Sequence, residues 1–589
     1  MKKTLRAICL TLFSLPVFSS LQAQPLNVPS EIYQPPQQKS QSSQPSRSLK
    51  LPVTISSKST QSGNKLTSVT LAAPLAKELQ GLENQSTQRK AFQIGIRRDL
   101  PALPNITEWA WQPVSGGQAG QFVITSEQAA RIRILLQTEQ PLPPGTEIRI
   151  YDPANKDTVF GPYTQQDFQT DQTGSRSTFW TPTLASEQLG IELFLPQSVD
   201  PAAVKLSIPL LSHVAYDINT RQFKSGTLKA FSSCDVSIAC APQEWQETAK
   251  SVARYIFTGS DGNTYLCSGT LLADLDNTTQ VPYFLTAAHC VDNSSSAASI
   301  DFFWLDRESS CGAGDASPVQ ISGGAVLLHT QGSLDSTLLQ INNAPPAGTL
   351  MSGWSLEPMQ NPDAVAGIHH ALGNPKQFAA GNFSGYTRIS SASGGYTIHQ
   401  DPLGDFFQVY WSSGITSPGS SGSGLWATVD GQRLLKGNLL GGSSSCSTPD
   451  APDDYARLDR FYPYVADWLG SVNTPLPGLL NNSGAPLALV DGILLGRYLG
   501  GIRGTALLAG ISDATVDINA LEGRLADAAS NMDIDQDGSK TRDKDALLLT
   551  RYLVGLRGSK LIEGVELSQS TNNTSGAITG AIEALLQGE

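Results

Sequence analysis

The 589-residue chain carries 40 Lys and Arg against 52 Asp and Glu, a formal net charge of -12. That length exceeds what one hydrophobic core supports, so several domains are expected. The acidic balance disfavours nucleic acid as a partner, because such binding depends on neutralising phosphates with Lys and Arg.

The first residues run Met1, Lys2, Lys3, an apolar stretch from Ala7 to Phe18, and small residues ending at Ala23. This is the positive, apolar, small-residue order of a secretory signal peptide, so removal of residues 1–23 and export are expected. The run is shorter than the roughly 20 residues a membrane-spanning helix needs, and no later segment is apolar enough to span.

Gln34 to Ser48 is rich in Gln, Ser and Pro and reads as the start of a flexible leader that extends to about residue 118. Beyond it, Ile132, Ile134 and Leu136 alternate with Arg131, Arg133 and Leu135, and Ile148 and Ile150 flank Arg149. Period-two runs of this kind predict a sheet with one buried face, continued by strands at Ile191 to Leu195 and Val204 to Ile208. Residues 24–229 hold no cysteine.

Of seven cysteines, Cys9 lies inside the signal and the remaining six fall between Cys234 and Cys446. An even number in an exported chain implies disulfides, with 15 possible pairings. Residues 230–470 therefore read as a stapled domain, and their short strand-like stretches and Gly/Ser turns predict an all-β sandwich or barrel. Phe461 to Leu469 is expected to close it as a helix. Pro475, Pro477 and Gly478 mark a linker over 471–478. Within 479–589, DGILLGRYLGGIRG from Asp491 is repeated as DALLLTRYLVGLRG from Asp545, which predicts two related helical units.

Three motifs carry chemistry. Leu285 to Cys290 reads LTAAHC, Asp335 opens DSTLL, and Pro418 to Gly424 reads PGSSGSG. A lone His or a Gly-Ser string is ordinarily structural. Together, in the order His, Asp, Ser, they point to nucleophilic catalysis. A neutral serine hydroxyl is a poor nucleophile and needs a base: His289 would take the Ser421 proton, and Asp335 would fix the imidazole tautomer. The glycines let the backbone turn so that the amides of Gly419 and Ser421 form an oxyanion hole.

Over residues 230–470 the chain resembles the trypsin-like serine proteases, and among them the bacterial lysyl endopeptidase branch, through these motifs and through Ile368 to His370 (IHH), Gly441 to Cys446 (GGSSSC) and Asp453 to Arg457 (DDYAR). The resemblance implies a chymotrypsin-like double β-barrel endopeptidase. It also implies disulfides Cys234–Cys446, Cys240–Cys311 and Cys267–Cys290, and a substrate-backbone segment at Gly441 and Gly442. Residues 24–229, with Trp180 to Pro182 reading WTP, resemble the propeptides of the same group, which assist folding and suppress activity before export.

Ser420 stands where many trypsin-like enzymes carry an aspartate that pairs with the new amino terminus, so the role of that terminus is left open. The trypsin pocket acid has its counterpart at Ile415, which anchors no cation. The resemblance places the specificity carboxylate at Asp453, with Asp454 as the fallback and Leu440 standing where the branch has a histidine. It implies cleavage after Lys and more weakly after Arg, and self-processing at Lys229 to give a terminus at Ala230. Adjacent His369 and His370 point to opposite faces of a strand and do not suit one metal ion.

In the second C-terminal unit, Asp533, Asp535, Asp537, Gly538 and Asp545 resemble the calcium loop of EF-hand and dockerin-type repeats. Asp545 falls thirteenth in that loop rather than twelfth. In the first unit, Leu479, Asn481 and Ser483 replace the ligands, so one calcium and no catalytic cofactor is expected. Dockerin likeness suggests a protein or cell-surface partner. A non-catalytic adhesion protein acting through these repeats is the competing reading, and it needs none of the three catalytic residue types.

Overall fold

The computed structural model describes residues 27–34, 67–86, 91–101, 103–155, 157–170, 176–218, 220, 222–224, 234–275, 279–315, 318–392, 395–470, 490–509, 518–530, 532–553, 556 and 558–587. The expected signal peptide, Lys229, Ala230, the linker and Leu479, Asn481 and Ser483 lie outside the described residues.

The alternating sequence after residue 117 becomes two packed sheets. Gly117–Ser126, Glu147–Tyr151 and Gln188–Pro196 belong to a six-stranded sheet, and Arg131–Thr138 and Leu206–Val214 to the sheet that packs on it. Phe122, Ile132, Ile134, Ile150 and Ile191 meet in the core between them. Because successive side chains on a strand face opposite sides, Arg131 and Arg133 turn away from that core. The expected solvated face is absent. Both arginines are buried against the cysteine-bearing domain, where Arg133 donates to the Ser299 carbonyl and Arg131 lies over the Phe303 ring.

The leader expected up to residue 118 is also corrected. Thr67–Leu71, Phe92–Arg98 and Ala110–Val114 are strands and Ala76–Ser86 is a helix. Average composition hid the first two strands because their partners lie far away in sequence: Thr67–Leu71 pairs with Gly117–Ser126, and Phe92–Arg98 with Leu206–Val214. Phe92–Arg98 also pairs by its other edge with Thr264–Leu272, setting Phe92 opposite Leu266 and Gly95 opposite Thr264. The N-terminal sheet thus runs on into the next domain as one twelve-stranded sheet.

From residue 252 the strands form two antiparallel systems. The first runs, by neighbour, Ala325–Gln331, Ser336–Ile341, Tyr283–Thr286, Thr264–Leu272, Val252–Thr258, Asp301–Trp304 and Val319–Ile321. The second closes on itself: Ala364–His369, Gln377–Ala392, Phe406–Ser413, Asp453–Arg457, Gln432–Gly442 and Gly424–Val429, which returns to Ala364–His369. A barrel of this kind leaves no free edge among these strands. The closing helix spans Leu458–Leu469, three residues more than expected, and buries Phe461, Val465 and Leu469 in the main core. Disulfides join Cys234 to Cys446, Cys240 to Cys311 and Cys267 to Cys290, the pairs the resemblance implies.

The C-terminal units are helical, with Val490–Leu499, Ile518–Ser530, Leu547–Leu553 and Ser575–Gln587 around one core. The sequence repeat is a structural one. Arg497 donates to the Leu507 carbonyl as Arg551 does to Leu561, and the Ile502 amide donates to Arg497 as the Leu556 amide does to Arg551. No described helix is long and apolar enough to cross a membrane.

Candidate active site

The LTAAHC run leaves strand Tyr283–Thr286 and is held from below by Cys267–Cys290, so His289 sits at the lip of the first strand system. DSTLL begins at the turn into strand Ser336–Ile341, where Asp335 adopts φ 49° and ψ 41°. A non-glycine residue in the left-handed region needs support. Asn438 supplies it, donating from Nδ2 to the Asp335 carbonyl at 2.9 Å while its Oδ1 accepts from Ser336 Oγ at 2.7 Å.

Asp335 then grips His289 twice. Oδ1 accepts from the His289 backbone amide at 2.8 Å, and Oδ2 lies 2.7 Å from Nδ1 of the ring. This fixes both the position and the tautomer of the imidazole, with Nδ1 protonated toward the carboxylate. Nε2 is buried and has no hydrogen-bond partner among the described residues, which leaves it able to accept a proton.

Ser421 comes from the PGSSGSG turn. Gly419 and Gly422 both take positive φ, +94° and +80°, values that a side-chain-bearing residue rarely adopts. Space matters as well, since a Cβ on Gly422 would lie 2.2 Å from Thr286 Oγ1 and 2.7 Å from the Ala287 amide. The nucleophile turn is thus pressed against the histidine motif. Its register is set by the Ser268 amide donating to the Ser421 carbonyl at 2.9 Å and by Ser268 Oγ donating to the Gly419 carbonyl at 2.8 Å. The turn leaves the carbonyl of Pro418 accepting from the Leu372 amide at 2.7 Å.

Ser420 is buried beneath the turn. Its hydroxyl accepts from the Ser417 amide at 3.2 Å and lies 2.9 Å from Nδ1 of His369. Burial pulls the His369 pKa down to about 3, so the ring is neutral and shares one hydrogen bond with the Ser420 hydroxyl. His370 points the other way, its Nδ1 2.9 Å from the Asn374 carbonyl, and burial also lowers its pKa. The two histidines serve separate hydrogen bonds.

Asp453 is fully buried at the start of strand Asp453–Arg457. Oδ2 accepts from Trp411 Nε1 at 2.7 Å, Thr416 Oγ1 at 2.8 Å and Ser444 Oγ at 2.7 Å, and Oδ1 accepts from the Ser444 amide at 3.2 Å. Gly442 lies against it, since a Cβ there would meet Asp453 Oδ1 at 2.1 Å, and Gly441 takes φ +139°. Ile415 is buried, as is Leu440. Asp454, the fallback, points elsewhere and accepts from Thr387 Oγ1 at 2.7 Å. Asn438, Trp411 and Thr416 carried no motif in the sequence, whereas Ser444 lies within GGSSSC and Ser336 within DSTLL, neither with a role assigned to it.

In the C-terminal module Asp533, Asp535 and Asp545 offer carboxylate oxygens that lie within 4.8 Å of one another. The π-helical turn Arg542–Ala546 brings Asp545 into this group despite its thirteenth place. Asp545 also accepts from the amides of Ile534 and Thr541. Asp535 is fully buried and its Oδ1 has no hydrogen-bond partner among the described residues. Asp537 departs from the expected set: its carboxylate pairs with Lys544 at 2.5 Å, and the same ammonium lies 3.5 Å from Oδ2 of Asp535.

The family profile described as "Lysyl endopeptidase, C-terminal domain" matches residues 228–456, and "Lysyl endopeptidase N-terminal domain" matches residues 70–215. A lysyl endopeptidase of Pseudomonas aeruginosa strain PAO1 is 31% identical over 401 residues, 63% of this chain and 80% of that protein. Among solved structures, the active form of the Rv3671c protease from M. tuberculosis overlays with TM-score 0.27 at 14% identity, covering 41% of this chain and 93% of that one. The apo MamO protease domain from Magnetospirillum magneticum gives TM-score 0.26 at 12% identity, covering 37% and 98%.

Proposed function

The chain belongs to the lysyl endopeptidase family, and from that membership we propose that it is a secreted serine endopeptidase that cleaves after Lys, and less well after Arg, once released from a self-processed precursor. The observation that carries the serine mechanism is the double grip of Asp335 on His289, with the Ser421 turn pressed against the same motif.

In that mechanism Ser421 Oγ attacks the substrate carbonyl carbon while its proton passes to Nε2 of His289. The carbonyl oxygen becomes an oxyanion, stabilised by the amides of Gly419 and Ser421; losing one such donor typically costs about 2.7 to 4 kcal/mol. Collapse expels the amine, which takes the proton from His289 and leaves an acyl-enzyme on Ser421. Water then attacks this ester through the same base, regenerating the hydroxyl. Asp335 stays ionised throughout and holds the ring.

Asp453 supports the choice of Lys. Three of its four hydrogen bonds fall on Oδ2, so Oδ1 is the oxygen with capacity left for a substrate cation. An ammonium, a compact donor, is served by one oxygen, whereas a guanidinium gains most from two. An apolar side chain leaves the buried carboxylate without a counter-charge and is rejected.

Residues 24–229 act as the propeptide, 230–470 as the protease domain, and 479–589 as a docking module joined by the 471–478 linker. The signal at residues 1–23 directs export, and cutting at Lys229 yields a terminus at Ala230. Asp533, Asp535 and Asp545 suit a calcium ion, a hard cation taking oxygen ligands, and the unpartnered buried oxygen of Asp535 favours it. Its role is structural.

Stoichiometric labelling of Ser421 by a phosphonylating probe tests the mechanism, and a protein that stays unlabelled is a scaffold acting through its repeats. Amino-terminal sequencing of secreted material tests the precursor: a chain beginning near Gln24 rules it out. Calorimetry on residues 475–589 tests for one calcium site, and no binding or two equivalent sites refutes it.

A further inference from the structure

Residues 27–34 precede the N-terminal domain in sequence but dock on the protease domain. Asn27 and Val28 pair antiparallel with Ser355 and Trp354, and Glu31 and Ile32 pair with Met351 and Leu350. Val28 and Tyr33, each 3% exposed, belong to the same core as Cys267, Trp354 and Val465. This strap is a strand completing the edge of a segment whose other side is already committed: the Ser352 amide donates to the Leu271 carbonyl and the Leu435 amide to the Gly353 carbonyl.

The seat is shaped for this backbone. Between the two pairs of the ladder, a Cβ on Gly353 would lie 2.3 Å from the Val28 carbonyl oxygen and 2.5 Å from the Ser30 amide, and the Gly353 amide donates to Ser30 Oγ at 2.8 Å. Gly353 does not lie in the left-handed region, so the chain conformation alone does not call for glycine here. The close approach of the strap does. Gln280 clasps the far end, its Nε2 donating to the Ile32 carbonyl at 3.0 Å and its Oε1 accepting from the Gln34 amide at 2.7 Å. The Tyr33 amide donates to the Thr349 carbonyl.

We propose that Leu350–Ser355 is a peptide-binding edge of the protease domain, that its ligand is the chain's own 27–34 segment, and that this strap keeps the N-terminal domain attached after the connection to the protease domain is cut. The last clause rests on the precursor reading above. The edge would otherwise expose unpaired amides and carbonyls, which is the ordinary basis of β-strand addition. Phe92–Arg98 on Thr264–Leu272, together with Arg133 on the Ser299 carbonyl and Arg131 over Phe303, is a second attachment of the same polypeptide. Two tethered contacts hold far more firmly than either alone, because release of one leaves the other at high effective concentration.

The edge is tested by hydrogen exchange on the full chain carrying Ser421→Ala, which needs no hydrolysis. Amides of residues 27–34 and of Leu350–Ser355 should exchange slowly, and Gly353→Ala should speed both segments by at least about tenfold while Thr264–Leu272 stays protected. Val28→Asp, placed on the strap, should give the same pattern. A synthetic peptide of residues 25–36 should restore protection at Leu350–Ser355 in a chain lacking those residues, and should fail to when Gly353→Ala is also present. Equal exchange with and without the substitutions, or a peptide without effect, overturns the edge. The attachment is tested by cutting the 225–233 connection of the Ser421→Ala chain with an added protease. Gly353→Ala should release more of the N-terminal domain on dilution in gel filtration than the parent does, the Phe92–Arg98 ladder and the Arg131 and Arg133 contacts remaining, and equal retention overturns that clause. Neither result depends on whether Ser421 is labelled, so the strap and the serine mechanism fail separately.

Discussion

The hydroxyl of Ser420 lies 2.9 Å from Nδ1 of His369, beneath the turn that carries Ser421, and both groups are buried. In the trypsin-like pattern this position holds a carboxylate that waits for a cleaved amino terminus. Here the partner is already part of the folded chain. The turn that carries Ser421 is accordingly braced from within, and Ser420→Ala should remove that brace. The substitution leaves Nδ1 of His369 buried and unpaired, a penalty of about 1–3 kcal/mol, and should lower kcat with little change in KM. One extra residue before Ala230 should leave kcat within about twofold; a collapse of activity in that extended form would mean that the terminus braces the turn after all.

Asp453→Asn should lower kcat/KM for Lys substrates by about a thousandfold, as expected for a cation facing a site that has lost its charge. Trp411→Phe is the finer test. It removes one of the three donors on Oδ2, frees that oxygen for a second contact, and should raise the Arg-to-Lys ratio of kcat/KM by about three- to tenfold. Matched peptide substrates give both numbers, and an unchanged ratio would detach Trp411 from selectivity.

Asn438 positions Asp335 without reaching the reacting atoms. Asn438→Ala should let the strained aspartate turn relax and lower kcat by about ten- to a hundredfold while KM stays within about twofold. Loss confined to KM would assign Asn438 to substrate binding instead.

His369 has its pKa lowered to about 3 by burial, against about 6.5 in an unfolded chain. Between those values the unfolded state binds a proton that the folded state refuses, so stability is complete above about pH 6.5 and falls as pH drops toward 3. The slope from this residue approaches about 1.4 kcal/mol per pH unit. His369→Gln retains a hydrogen-bonding group for Ser420 without a titrating ring and should flatten the acid limb of a denaturation series on the Ser421→Ala chain. An unaltered slope would place the proton uptake elsewhere, for instance at His370, which burial also depresses.

The proposed triad rests on short contiguous motifs whose turn chemistry is local, so its members are legible in the sequence. Its supports are not. Asn438 meets Asp335, and Trp411 meets Asp453, only after strands far apart in the chain pair within the barrels. The alternation of Ile132 and Ile134 with Arg131 and Arg133 announced a strand correctly, but charge suggested water on the arginine side where the fold places another domain. Likewise Phe92 and Ile94 looked isolated within a polar leader, because their packing partners Val214, Tyr216 and Leu266 are distant in sequence. The shift of Asp545 by one place in its loop was legible, whereas the π-helical turn that absorbs it was not.

The bond between Cys234 and Cys446 spans a sequence separation of 212 and converts everything between them into a covalent ring. His289, Asp335 and Ser421 all lie inside that ring. Trimming from either end of the polypeptide therefore stops at a cystine before it can shed a member of the triad, and a single nick inside the ring opens the loop without detaching a fragment. Asp453 lies outside, on the tail that follows Cys446. Erosion from the C-terminal side must first strip the core helix Leu458–Leu469 and then the barrel strand Asp453–Arg457, so the fold gives way at this end before the ring itself is reached.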